Sequence, residues 1–115
     1  VNAERDRRIN AGFIFNGVCF QSDPDSRENI DGAFSLASAA ITLGGKQPGD
    51  LRWHGGDEDF VFIAEDDTRV PMDALTVIAF GQTAAAHKSA LVFKANDIKK
   101  MDPIPADYFD DSYWP

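Results

Sequence analysis

The sequence predicts an α+β fold: a small single domain with a β-hairpin, a helix, a second short antiparallel strand group, a long C-terminal helix and an extended aromatic tail. Three observations lead to this prediction. An Asn-Gly pair separates two apolar arms within residues 13–21. A helix-start signal at residues 22–28 precedes apolar residues at helical spacing. The longest helical pattern then covers residues 73–101.

Length and composition restrict both the size and the partners of the protein. The chain has 115 residues, which matches one domain, and 43% of them are hydrophobic, which is enough for a core. The net charge of −8 opposes binding to nucleic acids and to anionic membranes. No apolar run approaches the roughly 20 residues of a membrane-spanning helix, and no signal peptide opens the chain. We therefore expect neither nucleic acid nor a membrane as a partner.

The chain divides into three parts by composition. Residues 1–12 are charged and helix-forming, and Gly12 is a helix stop signal. They are either a connector from a missing upstream segment, as the first residue Val1 suggests, or a frayed terminus. Residues 13–101 form the core domain, and residues 102–115 form an acidic aromatic tail.

The hairpin is the most specific local prediction. Asn-Gly favours a two-residue type I′ turn because both central positions need positive φ. The resulting register pairs Phe15 with Val18, Ile14 with Cys19, and Phe13 with Phe20. Side chains alternate across the strands. We therefore expect the face that carries Phe13, Phe15, Val18 and Phe20 to lie on the core, with the single cysteine, Cys19, half-buried on the other face.

A helix follows the hairpin directly. Ser22 or Asp23 can cap it, Pro24 suits its first turn, and Asp25 and Glu28 favour the positive end of its dipole. Capping explains these carboxylates better than a metal site does. The apolar stripe of this helix comprises Ile30, Phe34, Ala37 and Ile41, flanked by Ala33 and Ala40, and Gly44-Gly45 ends it.

The second strand group is predicted from three short apolar runs. Residues 51–54 (LRWH) and 59–64 (DFVFIA) are predicted as strands, and residues 69–72 (RVPM) as a short third strand. Both faces of residues 59–64 are apolar, so we expect that strand to be central. Pro71 confines the third strand to an edge or an end of the sheet.

The long helix of residues 73–101, capped by Asp73, is apolar on two stripes. Gly81 lies inside it and indicates close packing. A single small sheet covers only one stripe, so the first helix, the tail or another copy of the chain must cover the second. One stripe comprises Leu75, Ile78, Gln82, Ala85, Ser89 and Val92; the other comprises Val77, Phe80, Ala84, His87, Leu91 and Ile98.

The tail, residues 102–115, places four aromatic residues among acidic ones and is either a strap across the domain or a peptide for a partner. The strap is favoured, because exposed aromatic rings are costly in water. The residues expected to mediate interactions are Val77, Phe80, Ala84, His87 and Leu91 of the long helix, with Tyr108, Phe109, Tyr113 and Trp114 of the tail.

No specific signal for chemistry occurs. His54, Asp57 and Asp59, with Glu58, are weak candidates for a divalent metal site, since their spacing matches neither a calcium loop nor a zinc pair. His87 among apolar residues is typical of a packed histidine, and Cys19 has no activating neighbour in sequence. Phosphate loops, nucleophile elbows and dinucleotide fingerprints are missing. We therefore predict no catalytic residue, no cofactor and no metal.

Five segments resemble an uncharacterised family, catalogued as domain of unknown function 4376: ERDRRINAGFIFNG, SRENIDGA, LRWHGGDEDFVFIA, VPMDALTVIAFGQ and MDPIPADYFDDSYWP. They span nearly the whole chain, and DLRWHGG followed by VPMDA carries the resemblance best. The resemblance implies a phage or prophage setting among tail and tail-fibre genes, often at the C-terminal end of a longer chain. It implies no activity, cofactor or catalytic residue.

The residues and the resemblance together predict a non-enzymatic structural or interaction module of a phage or prophage tail or tail-fibre protein. Its partners would be itself, as a homo-oligomer, or other tail proteins. It would lie in the virion tail, or in the bacterial cytoplasm during assembly. One alternative is a tail-fibre assembly chaperone that is absent from the mature virion. Another is a metal-dependent receptor-binding or hydrolytic domain around His54.

Overall fold

A computed structural model describes all 115 residues. The chain forms three α-helices and two antiparallel strand pairs, which confirms the α+β class. In order, the elements are α1 (Asn2–Asn10), β1 (Phe13–Phe15), β2 (Val18–Phe20), α2 (Pro24–Thr42), β3 (Val61–Ile63), β4 (Arg69–Pro71) and α3 (Ala74–Lys99). A short 3-10 helix, Asp111–Tyr113, lies in the tail.

The first hairpin has the predicted register in all three pairs. Asn16 and Gly17 have φ values of 51° and 78°, as a type I′ turn requires. Phe13 and Phe20 are buried, whereas Ile14 on the opposite face is 70% exposed. The predicted aromatic face therefore packs on the core.

Helix α2 begins where the sequence places its start. Asp23 is the N-cap and Pro24 is the first helical residue. The predicted apolar stripe packs against α3, and the two helices approach closely at Gly81. A Cβ atom on Gly81 would lie 2.6 Å from Cδ2 of Phe34, so only glycine leaves room for that ring. The predicted close packing at Gly81 is confirmed.

The second strand group differs from the prediction in two ways. Strands β3 and β4 pair as expected, but residues 51–54 form turns, so the strand predicted there is wrong. The backbone oxygen of Leu51 accepts one hydrogen bond, from the N–H of Phe60 at 2.7 Å. Trp53 is buried, and its indole Nε1 donates to the backbone oxygen of Met72 at 3.1 Å. This tertiary contact holds the segment as a turn.

Strand β3 is an edge strand, so the prediction of a central strand is also wrong. It pairs with β4 alone. Phe62 packs against the core, but Ile63 on the opposite side is 56% exposed. On this second apolar face Ile63 lies largely in solvent and Val61 is half-buried, so the face does not indicate a neighbouring strand.

Two separate hydrophobic clusters lie along α3. The proximal cluster joins both hairpins and α2 to the N-terminal half of α3, around Phe80. The distal cluster joins α1 and the tail to the C-terminal half; its buried members are Ile9, Leu91, Ala95, Ile98 and Trp114. Since a helix rises about 1.5 Å per residue, the 26 residues of α3 span about 39 Å. The molecule is accordingly elongated, at 55 × 29 × 21 Å.

Asp73 caps α3 as predicted, and it also anchors a loop. One carboxylate oxygen accepts from the backbone N–H of Thr76 at 2.7 Å, and the other accepts from that of Gly49 at 2.8 Å. These bonds, that from Thr76 first, lower the pKa of the Asp73 carboxyl below its usual 3.8. The carboxylate form is therefore the stabilising one.

We expect Asp73→Ala to lower the free energy of unfolding by about 1 kcal/mol, because the cap is lost. A carboxyl with a lowered pKa in the folded state stabilises the fold above its unfolded-state pKa, and this contribution is lost as the pH falls through the folded pKa. In Asp73→Asn the side-chain amide oxygen still accepts a hydrogen bond, but it does not titrate. This variant should therefore lack the loss of stability that the Asp73 carboxyl causes at low pH. Urea titrations of the three proteins at several pH values measure both effects. Identical acid dependence in Asp73→Asn and the unmodified chain would contradict the assignment.

Candidate interaction surface

Most of the predicted interaction residues of α3 lie inside the protein. Val77 and Phe80 are fully buried, and Ala84 and Leu91 are 7% and 4% exposed. The first three belong to the proximal cluster and Leu91 to the distal one. Their prediction as a partner surface is therefore wrong for the folded chain, because the chain itself covers this stripe.

His87 lies at the edge of the proximal cluster and is half-buried. Its ring centroid is 5.9 Å from that of Phe13, and its Nε2 atom is buried without a hydrogen-bond partner. No carboxylate orients the ring as a catalytic base would require. The interpretation of His87 as a packed histidine agrees with this position.

The tail packs on the distal end of the molecule as a strap. Trp114 is buried, and its Nε1 donates to the backbone oxygen of Tyr108 at 2.8 Å. Tyr113 donates its hydroxyl to Asp107 at 3.1 Å. Phe109 is 60% exposed, so of the four predicted aromatic residues it is the one most available to a partner.

Arg8 of α1 fastens this strap. Its guanidinium donates to the backbone oxygen of Phe109 at 2.8 Å and to the carboxylate of Asp111 at 2.6 Å. It also lies 5.3 Å from the ring centre of Trp114, within the range of a cation–π interaction. Residues 1–12 are therefore packed into the fold of this chain, and α1 is not frayed.

The second stripe of α3 remains largely uncovered. Leu75 is 46% exposed and Val92 is 39% exposed, while Ile78 is half-buried at the margin of the proximal cluster. The neighbouring Phe93, which the sequence analysis did not select, is 68% exposed. We call this surface the α3 outer face; it comprises Leu75, Gln82, Ala85, Ser89, Val92 and Phe93.

A groove of about 350 Å³ between α2 and α3 borders the outer face. Its floor is apolar and includes Ile30 and Ala84, and it shares Ala85, Ser89 and Val92 with the outer face. The groove depends on the separation between two helices, which no sequence pattern gives, and it was therefore not predicted. It widens the apolar surface available to a partner.

The groove also carries cations that lack acidic partners. Arg27 and Lys88 line it, and neither forms an ion pair. The Arg27 guanidinium donates instead to Asn10 Oδ1 at 3.0 Å and to the backbone oxygen of Ser22 at 2.7 Å. Arg27 therefore ties α2 to the end of α1.

The weak metal candidates do not converge. His54 is exposed, and its ring lies 5.4 Å from that of Phe60. The carboxylate of Asp59 lies 3.4 Å from Nε of Arg52. Asp57 and Glu58 are exposed, and the chain contains no group of three His, Cys, Asp or Glu side chains placed to hold a metal ion. The weak candidates His54, Asp57 and Asp59 therefore do not form a metal site in this structure.

The single cysteine is exposed, so the expectation that it is half-buried is wrong. Its Sγ donates to Oε2 of Glu65 at 2.8 Å. This hydrogen bond, followed by desolvation, raises the pKa of the Cys19 thiol. A raised pKa disfavours the nucleophilic thiolate, so the surroundings of Cys19 do not activate it.

The chain belongs to a family of domains of unknown function, DUF4376, whose model matches residues 1–112. The resemblance found in the sequence segments is thereby confirmed at the level of the family. The comparisons with curated proteins and with solved structures find no match. None of the helices has the length and apolar character needed to cross a membrane.

Proposed function

We propose that this chain is a non-enzymatic structural or interaction module of a phage or prophage tail or tail-fibre protein, and that it self-associates through the α3 outer face. The exposed apolar residues of α3 carry the proposal. Val92 also lines the groove beside α2, whereas the predicted stripe around Phe80 is used in the core. The module would act in the virion tail, or in the bacterial cytoplasm during assembly.

The composition of the outer face supports contact between proteins. A long helix with one buried stripe and a second exposed stripe of Leu75, Val92 and Phe93 is typical of a helix that packs against another helix. Small residues at Ala85 and Ser89, between the larger ones, would allow close approach. The tail setting itself comes from the sequence resemblance, which associates such chains with tail and tail-fibre genes.

We expect the unmodified chain to form a dimer or trimer, measured as solution mass by light scattering over a concentration series. A Leu75→Glu, Val92→Glu double variant should raise the dissociation constant by about tenfold or more, a loss of roughly 1.4 kcal/mol, because carboxylates would be desolvated in the interface. Ile14→Glu is the matched control, since Ile14 is 70% exposed on the hairpin, outside the outer face. This control should associate normally.

A strictly monomeric chain at high concentration would contradict the self-association. Equal weakening by the control would show that added charge, and not the outer face, determines the result. Immunodetection of the protein in purified particles distinguishes a tail component from an assembly chaperone, because the chaperone leaves the mature virion. Detection in the particle is expected.

A further inference from the structure

Strand β3 has a free edge. On its paired side, the backbone oxygen of Phe60 accepts from Met72 N at 3.0 Å, and the N–H of Ala64 donates to Thr68 O at 2.8 Å. Backbone groups alternate in direction along an antiparallel strand, so Phe62 also faces β4. The N–H and C=O groups of Val61 and Ile63 therefore point away from β4, where no strand pairs with them.

Two of the other strand edges, those of β4 and β2, are closed. Pro71 in β4 has no N–H, which blocks the outer edge of that strand. On β2, the backbone oxygen of Cys19 already accepts from the N–H of Glu65 at 3.0 Å. This bond also uses the outward N–H of Glu65, two residues after Ile63, so the free part of the β3 edge is limited to Val61 and Ile63. The outer edge of β3 thus keeps unpaired N–H and C=O groups. The outer edge of β4 lacks an N–H group at Pro71, and that of β2 already uses its carbonyl group at Cys19.

A cavity of about 300 Å³ lies between this part of β3 and the start of α2. Val61, Phe62 and Ile63 line one side of it. Gln21, Ser26 and Asn29 form its accessible polar lining, and the buried side chains of Phe20, Ile30 and Phe80 lie beneath them. A strand edge beside apolar and amide side chains offers main-chain pairing together with a place for alternate side chains.

The residues around β3 define the charge of the partner. Asp57, Glu58 and Asp59 precede the strand, and Glu65, Asp66 and Asp67 follow it, all of them exposed. Two exposed arginines lie near these carboxylates: Arg52, which pairs with Asp59, and Arg69 of β4, the cross-strand partner of Ile63, so the carboxylates outnumber the cations. If a second copy paired antiparallel on this edge, the carboxylates before its β3 would lie beside the carboxylates after β3 of the first copy. Like charges in that position repel each other. A partner with lysine or arginine side chains is complementary.

We propose that the outer edge of β3 binds an extended basic segment of another protein by strand addition. The segment hydrogen-bonds to Val61 and Ile63 through its main chain, sets alternate side chains into the cavity and directs its cations to the flanking carboxylates. This inference does not rest on self-association through α3, and it can be tested in the Leu75→Glu, Val92→Glu background.

The probe is a synthetic peptide, capped at both ends, in which valine or threonine alternates with lysine. Nuclear magnetic resonance measures amide exchange of the ¹⁵N-labelled chain with and without it. We expect exchange at Val61 and Ile63 to slow by about tenfold or more in the complex, because their N–H groups become hydrogen-bonded. Two control peptides of the same sequence carry backbone N-methyl groups on alternate residues, one in each register. The control methylated at the pairing positions should lose binding.

Val61→Pro tests the same edge from the side of the protein. It removes one outward donor and takes no hydrogen bond from the β3–β4 ladder, so the hairpin should persist. We expect the peptide to bind this variant about tenfold or more weakly, whereas Val61→Thr, which keeps the N–H, should bind normally. If Val61→Pro fails to fold, binding of the N-methylated peptides to the unmodified chain tests the proposal instead.

Three results would overturn the proposal. The first is an absence of peptide-dependent protection at Val61 and Ile63. The second is equal binding of all the peptides, which would show attraction by charge alone. The third is concentration-dependent protection of the same amides without peptide, which would assign the edge to a second copy of the chain. None of these results bears on association through the α3 outer face.

Discussion

Replacing Phe80 by alanine is expected to lower the free energy of unfolding by about 3–5 kcal/mol, the range for truncating a fully buried phenylalanine. Phe80 has no exposed surface. Its ring centroid lies 4.7 Å from those of Phe20 and Phe62, 5.2 Å from that of Phe15 and 5.4 Å from that of Phe13. This one side chain therefore joins both hairpins to α3.

Urea unfolding followed by circular dichroism measures this loss. Because a small domain is stable by only about 5–15 kcal/mol, the Phe80→Ala protein should be close to unfolding at moderate temperature. Leu36→Ala, on α2 at 65% exposure and outside the α3 outer face, is the matched control and should change stability by less than about 0.5 kcal/mol. A Phe80→Ala loss as small as that of the control would show that Phe80 does not organise the proximal cluster.

The elements that the sequence predicts well are those that depend on neighbouring residues. The hairpin register follows from Asn16 and Gly17, whose positive φ values allow one tight turn between the apolar arms. The cap of α3 follows from Asp73, and the end of α1 from Gly12, which has a φ of +106°. Each of these signals acts within a few residues and needs no knowledge of the rest of the fold.

The failed strand at residues 51–54 shows the limit of such local patterns. A short apolar run has no clear period, so it fits a strand or a buried turn equally. The indole of Trp53 selects the turn by donating to Met72, a partner 19 residues away. The free edge of β3 was not predicted for a related reason. The two apolar faces of the strand suggested a central position, but β3 pairs with β4 alone, so its other edge has no neighbouring strand.

The α3 residues that were expected to contact a partner are buried, and the reason is geometric. Both stripes have helical spacing, and spacing alone does not say which one faces the core. The stripe of Phe80 is buried because the aromatic face of the first hairpin packs on it. Burial of the larger aromatic surface stabilises this orientation, so the stripe of Leu75 and Val92 becomes the exposed one.

The distal cluster depends on contacts that no local pattern predicts. Arg8 and Asp111 are 103 residues apart in sequence, and their ion pair joins the first helix to the tail. Exposed ion pairs contribute little by themselves, so the apolar contacts of Ile9, Leu91 and Trp114 must supply most of the stability here. Arg8 then positions the strap over this cluster.

Trp114→Ala is expected to release the tail and to lower the free energy of unfolding by about 3 kcal/mol. This value is the lower end of the range for a large buried ring, because Trp114 retains 7% exposure. The loss should be local. Since the distal cluster is separate from the proximal one, amide exchange should accelerate in α1 and in the last turns of α3. Exchange in the hairpin of β1 and β2 should remain slow.

Exchange measured residue by residue tests this separation, with Phe109→Ala as the matched control, since Phe109 is a tail aromatic that is 60% exposed. The control should keep Trp114 in place and leave exchange in α1 unchanged. Uniform acceleration through both clusters in Trp114→Ala would mean that α3 transmits unfolding along its whole length and that the chain is one cooperative unit. Acceleration confined to the distal end would mean that the strap can detach while the hairpins, the free edge of β3 and the proximal half of the outer face stay folded.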